Sequence, residues 1–126
     1  MTPLVVFELA YHWRKGRLPF KDINELMEFI DSYFTVLSFD KRDMFEASYI
    51  KVVGDSLLNR STESSLKGRR LSVSDATSIA LALKHRVPII TGDADLAYVA
   101  RYMGVKIMWR RRLVSMKLRL ILVILI

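Results

Sequence analysis

The sequence predicts an α/β fold, a short parallel sheet flanked by helices on both faces. Three observations carry that expectation. Segments with helical apolar spacing alternate with short apolar runs. One of those runs, Val87–Thr91, has the nearly unbroken apolar character of a strand buried on both sides. The breaks between segments hold the capping and turn residues that start and stop helices. A chain of 126 residues suffices for one domain with a real core. That domain is expected over residues 1–109, followed by an atypical basic and apolar tail, 110–126.

Taken in order, Thr2-Pro3 reads as N-cap and first helical residue, and Gly16 with Pro19 as a stop. The first helix then spans about Pro3 to Lys15. Its apolar residues, Leu4, Val5, Val6, Phe7, Leu9, Ala10, Tyr11 and Trp13, wrap nearly all round, so most of it is expected inside. A second helix, about Asp22 to Tyr33, aligns Ile23, Leu26, Met27 and Ile30 on one face. Thr35–Phe39 reads as a short strand. Asp40 caps a third helix running through Leu58, with Phe45, Tyr49, Val52 and Val53 expected inward. Asn59–Arg70 is a polar loop, and a fourth helix covers Val73–His85. The strand Val87–Thr91 tolerates Pro88 near its start. Gly92-Asp93 turns into a fifth helix, Ala94–Met103, ended by Gly104, and Val105–Trp109 is the last clear strand.

Composition narrows the function classes. An apolar share of 52% with 26% charged residues is ordinary for a globular protein. The absence of cysteine excludes disulfides and cysteine-held zinc. A formal charge of +7 suits a polyanion such as RNA or DNA. No basic stretch precedes the first apolar segment, so no signal peptide is read there. The apolar run Leu118–Ile126 is far shorter than the roughly 17–25 residues of a spanning helix. A cytoplasmic protein without a membrane span is the expectation.

Four acids invite chemistry, and each has a structural alternative. Glu8 sits among apolar residues without a lysine or arginine one helical turn away. A carboxylate buried in that way needs a cation or a proton, unless it faces solvent or meets a distant arginine. Asp75 forms an S-x-x-D capping box with Ser72, which would explain it structurally, yet it also projects from a first helical turn. Asp93 and Asp95 follow Ile89-Ile90-Thr91-Gly92, at the carboxyl end of a strand, where α/β sheets bind ligands. Both also suit helix capping. Together, three or four ionised carboxylates require a cation, and an all-oxygen set favours Mg²⁺ or Mn²⁺ over zinc. Arg60, Lys67, Arg69 and Arg70 form a candidate phosphate-gripping rim just before Asp75, or else a solvated loop. His12 and His85 read as structural. Trp13, Phe20, Phe29, Tyr33 and Phe34 read as core side chains, not a base-stacking platform.

With these residues in view, the chain resembles the PIN-domain family, especially its VapC-like toxin nucleases. The resemblance rests on Ser72-Val73-Ser74-Asp75-Ala76, Ile79-Ala80-Leu81-Ala82 and Ile89-Ile90-Thr91-Gly92-Asp93-Ala94-Asp95-Leu96, closing with Ala100 and Gly104-Val105-Lys106. The segment Thr2–Ala10 looks like the family's glutamate-bearing helix. The resemblance implies a three-layer fold and RNA cleavage by metal-activated water. It further implies Glu8, Asp75 and Asp93 as the metal-site acids, Asp95 as an accessory, frequent homodimers and a small antitoxin partner.

Two departures stand against that pattern. Family members begin with a central strand ending in an aspartate, whereas here Met1 stands almost at the glutamate helix. The tail, with Arg110-Arg111-Arg112 ahead of Leu120–Ile126, is also foreign to it. The tail reads as a buried or aggregation-prone strand. It could fill the slot of the central strand, although a misplaced start and a changed reading frame account for both departures more simply. Rival readings are a catalytically impaired PIN-fold protein that still binds RNA or an antitoxin, a phosphoryl-accepting receiver, and a membrane-surface protein. The receiver needs a lysine near the sheet end, and Lys106 inside the last strand is poorly placed.

Overall fold

The computed structural model describes residues 1–109 and 122–123. Five helices and three short strands follow in the order α1 (Pro3–Arg14), α2 (Ile23–Tyr33), α3 (Lys41–Asn59), α4 (Val73–His85), β1 (Ile89–Thr91), α5 (Ala94–Tyr102), β2 (Ile107–Trp109) and β3 (Leu122–Val123). The α/β class is borne out. The caps read from sequence operate: Thr2 accepts Val5 N–H, Asp22 accepts Glu25 N–H, and Asp40 shares a reciprocal capping box with Asp43. Arg86 ends α4 in the left-handed region at φ 55°.

β1 and β2 run parallel, with Ile89 opposite Ile107 and Thr91 opposite Trp109. β3 pairs antiparallel along the other edge of β1, Ile89 facing Val123 and Ile90 facing Leu122. The sheet order is therefore β2-β1-β3, and the sheet is mixed. The tail reaches the sheet through this pair. Arg110–Arg112 and the remainder of the apolar run lie outside the described residues.

Three expectations are corrected. Thr35–Phe39 is not a strand; two of its backbone groups pair with Met1, whose amine donates to Thr35 O at 2.7 Å and whose carbonyl accepts Leu37 N–H at 2.8 Å. The helix α1 buries only Val5 and Leu9, while Phe7 and Tyr11 are exposed. On α3 the inward face is Ala47, Ile50, Gly54, Leu57 and Leu58, and Phe45, Tyr49 and Val52 face out. The reason is close packing between helices. A Cβ on Gly54 would stand 2.9 Å from Leu71 Cδ2 and 3.2 Å from Val99 Cγ1, so aromatic residues have no room on that face.

The core joins Met1, Leu58, Leu71, Ile79, Leu81, Ile89 and Leu96, each fully buried, across the helices and β1. Fully burying side chains of this size is worth about 1.5–3 kcal/mol each before entropy is counted. Of the aromatics expected in the core, Trp13, Phe20, Phe29 and Phe34 pack against it, whereas Tyr33 is exposed. Phe29 lies 5.1 Å from Phe20 and 5.8 Å from Phe34, and Trp13 Nε1 donates to Phe20 O at 2.8 Å. Among the described residues no helix is long and apolar enough to cross a membrane.

Candidate active site

The local sequence explains how each acid is presented. Ser72 caps α4 by accepting Asp75 N–H on its hydroxyl at 3.0 Å, which sets Asp75 in the first turn. Only this half of the anticipated capping box forms, so capping does not consume the Asp75 carboxylate. Asp93 follows β1 and caps α5; its Oδ1 accepts Asp95 N–H at 2.9 Å and Leu96 N–H at 3.3 Å. Buried Thr91 fixes the turn by accepting Asp93 N–H at 2.9 Å. Asp95 is buried and pairs through Oδ2 with Arg69 Nε at 3.2 Å. Glu8, half-buried on α1, forms no salt bridge among the described residues.

These acids meet electrostatically at Asp75. Burial, then the nearby charge of Asp93, with smaller contributions from Glu8 and Asp95, together push its carboxyl up to about 7; the Ser72 hydroxyl pulls the other way. Residues on α1, α4 and α5, distant in sequence, thus act on one buried carboxyl. Even so, among the described residues no three acid or histidine side chains are arranged to hold a metal ion. Asp93, Glu8 and Asp95 each oppose the ionisation of Asp75. One oxygen of Asp93 serves helix amides, and one of Asp95 serves Arg69. The donor set still fits a hard divalent cation, because it is all carboxylate and its most buried member carries no ion pair among the described residues.

The profile of the PIN domain family matches residues 1–102. The chain belongs to the PIN domain family. No curated protein and no solved structure gives a significant match. Membership supplies a nuclease-type fold, commonly metal-dependent and generally RNA-cleaving. Within the PIN fold of this chain, the matched segment contains Glu8, Asp75, Asp93 and Asp95.

The basic rim divides. Arg69 and Arg70 line a cavity of about 540 Å³ with Asp55, Ser56, Asn59 and Gly68. The Arg60 guanidinium turns back toward Ser56 O at 3.4 Å, and Lys67 is exposed on the loop. His12 meets an Arg17 guanidinium nitrogen at 3.0 Å through Nδ1, and His85 is exposed in the last turn of α4.

A clamp not read from the sequence holds this region. Asp55 Oδ1 accepts Leu71 N–H at 2.7 Å, while Lys51 Nζ donates to Leu71 O at 2.7 Å and to Asp55 Oδ2 at 3.0 Å. The clamp fixes the backbone immediately before Ser72, and so the start of α4. The helical i,i+4 spacing of Lys51 and Asp55 was the visible signal. Their partner is 16–20 residues away, and no local pattern marks it.

Proposed function

We propose that this PIN-domain protein is a divalent-metal-dependent endoribonuclease of the VapC-like toxin kind. Glu8, Asp75 and Asp93 would hold Mg²⁺ or Mn²⁺, with Asp95 as an accessory that also keeps Arg69 in place. The observation that carries the reading is the buried Asp75 carboxyl, acted on by three acids from α1 and the start of α5 and given no cation among the described residues. When bound, the metal supplies Lewis-acid polarisation of a phosphodiester and a more acidic water. The chain's own residues do the rest. Ser72 and the Lys51–Asp55 clamp set the position of Asp75, and Thr91 sets that of Asp93. Arg69 and Arg70 attract the RNA backbone.

A cytoplasmic location follows from the proposed substrate. A protein partner, whether a second copy or an antitoxin, is supported by the exposed apolar stripe Phe45, Tyr49 and Val52 on α3. The test is cleavage of single-stranded RNA with Mn²⁺, with Mg²⁺ and with chelator, by the wild type and by Asp75→Asn. Metal-dependent cleavage lost in the variant is the expected result; equal cleavage by both rejects the site.

One observation favours a second reading, a PIN-fold protein that binds RNA or an antitoxin without turnover. Oxygens of Asp93 and Asp95 are already engaged, by helix amides and by Arg69. Titration with Mn²⁺ separates the two: this second protein binds the ion weakly and releases no cleaved RNA.

A further inference from the structure

The cavity beside the acids has a composition that the cleavage reading does not yet use. It lies between the last turns of α3, which supply Asp55, Ser56 and Asn59, and the loop residues Gly68, Arg69 and Arg70. At about 540 Å³ it falls within the roughly 300–1,000 Å³ typical of small-ligand sites, larger than a lone phosphate requires. Gly68 takes φ +82°, which lets the loop turn and present two arginines in succession, and nothing stands within 4 Å of where its Cβ would be. The backbone there is open to close approach.

Charge favours an anion. The single acid in the wall, Asp55, is already bound by Lys51 and by the Leu71 amide. Arg69 is anchored by Asp95, whereas Arg70 is exposed, with its charge close enough to act on Asp55. The Ser56 hydroxyl and the Asn59 side-chain amide make no hydrogen bond within the protein among the described residues, so both can face a sugar or a base edge. Arg69 links the cavity to the acid group directly, since its partner Asp95 is one of the charges acting on Asp75.

We infer that this cavity is a nucleotide subsite of the RNA path. Arg69 and Arg70 grip the phosphate next to the scissile one, and Ser56 and Asn59 meet the attached ribose or base. The inference rests on the reading of the acids as an RNA-cleaving centre. A nucleotide seated in a cavity leaves its stack, so the substrate is single-stranded.

The experiment measures binding of the full chain to a short single-stranded RNA of mixed sequence, in chelator so that nothing is cut, across a salt series. Arg70→Ala should weaken binding about tenfold at low salt and reduce the salt slope by about one. Asn59→Ala should weaken it severalfold with the slope unchanged. Arg42→Ala, on the exposed start of α3, should bind as the wild type does. The same sequence in a duplex should bind more weakly than the single strand. Unchanged binding by both Arg70→Ala and Asn59→Ala overturns the subsite even where the wild type cleaves RNA. Full displacement of the RNA by millimolar inorganic phosphate overturns the nucleotide and leaves a phosphate site only. A wild type that neither binds nor cleaves RNA overturns the subsite and the cleavage reading together.

Discussion

Asp43 and Asp75 each keep about 6% of their surface exposed, yet their carboxyls are driven in opposite directions. The Asp40 amide, and then Lys84 at 3.1 Å from both oxygens, hold Asp43 below the usual carboxylate range despite its burial. Asp43 lies shallowly, under a lysine that is itself half in water. Asp75 lies deeper; burial and the charge of Asp93 raise it to about 7. An acid that brings its own cation joins two helices. An acid surrounded by other acids asks for a cation from outside, and that difference separates the ion-paired end of α4 from the end proposed to hold a metal.

The largest expected effect tests the proposed metal end. Asp75→Asn should reduce metal-dependent RNA cleavage by at least about a hundredfold, because the proposed mechanism assigns that carboxylate to the metal. Gel assays of labelled RNA measure it.

The next effect is a pH dependence of stability. In the folded state Asp75 keeps its proton up to about 7, whereas the unfolded chain releases it near 3.8. Between those values the folded state binds more protons, so stability from this group is full below about 4 and is lost as pH rises to about 7. The loss is on the order of 4 kcal/mol at most. Urea unfolding of metal-free protein should therefore show Asp75→Asn gaining on the wild type across that window, with Mn²⁺ narrowing the gap. A constant difference at all pH values would break the comparison.

A smaller effect is expected at the other end of α4. Lys84→Met removes the cation from Asp43 and should cost about 0.5–1 kcal/mol, limited by solvent screening of an exposed lysine, with RNA cleavage unchanged. Because Asp43 is held below its unfolded value of 3.8, the stability from its partners is present above about pH 4 and lost in acid. The cost of Lys84→Met should therefore shrink as pH falls, at the opposite end of the pH scale from the effect of Asp75→Asn. Arg69→Met should have the smallest effect on stability, about 0.5 kcal/mol or less, since the pair is half exposed. Freed from Arg69, Asp95 should raise divalent-ion affinity severalfold, read by Mn²⁺ titration. Unaltered affinity would show that Asp95 lies too far from the ion to matter.

Legibility in the sequence followed locality. The bounds of α4 were readable because Ser72 and the strand-bound turn that follows it are local signals, and Asp93 was readable because it ends an apolar strand. The burial of α1 was misjudged because periodicity shows how apolar a helix is, not how much of it finds a neighbour. On α3 the bulky residues were assigned inward, but Leu71 and Val99 of α5 approach so closely at Gly54 that no larger side chain fits there. The Lys51–Asp55 pair has a local i,i+4 spacing, but its attachment to Leu71, 16–20 residues away, left no local trace. The convergence of Glu8 with Asp75 came from the family resemblance more than from any spacing.

The pairing of β3 with β1 has a consequence for the newborn protein. Residues 89–90 contribute to the sheet along both edges, and one of those neighbours is Leu122–Val123. During synthesis the parallel partner emerges first, leaving the other edge of β1 bare until β3, which begins 31 residues after β1 ends and 13 after β2 ends, has left the ribosome. A bare edge of this kind invites pairing with other chains. Translation pauses in that interval should therefore lower the soluble yield.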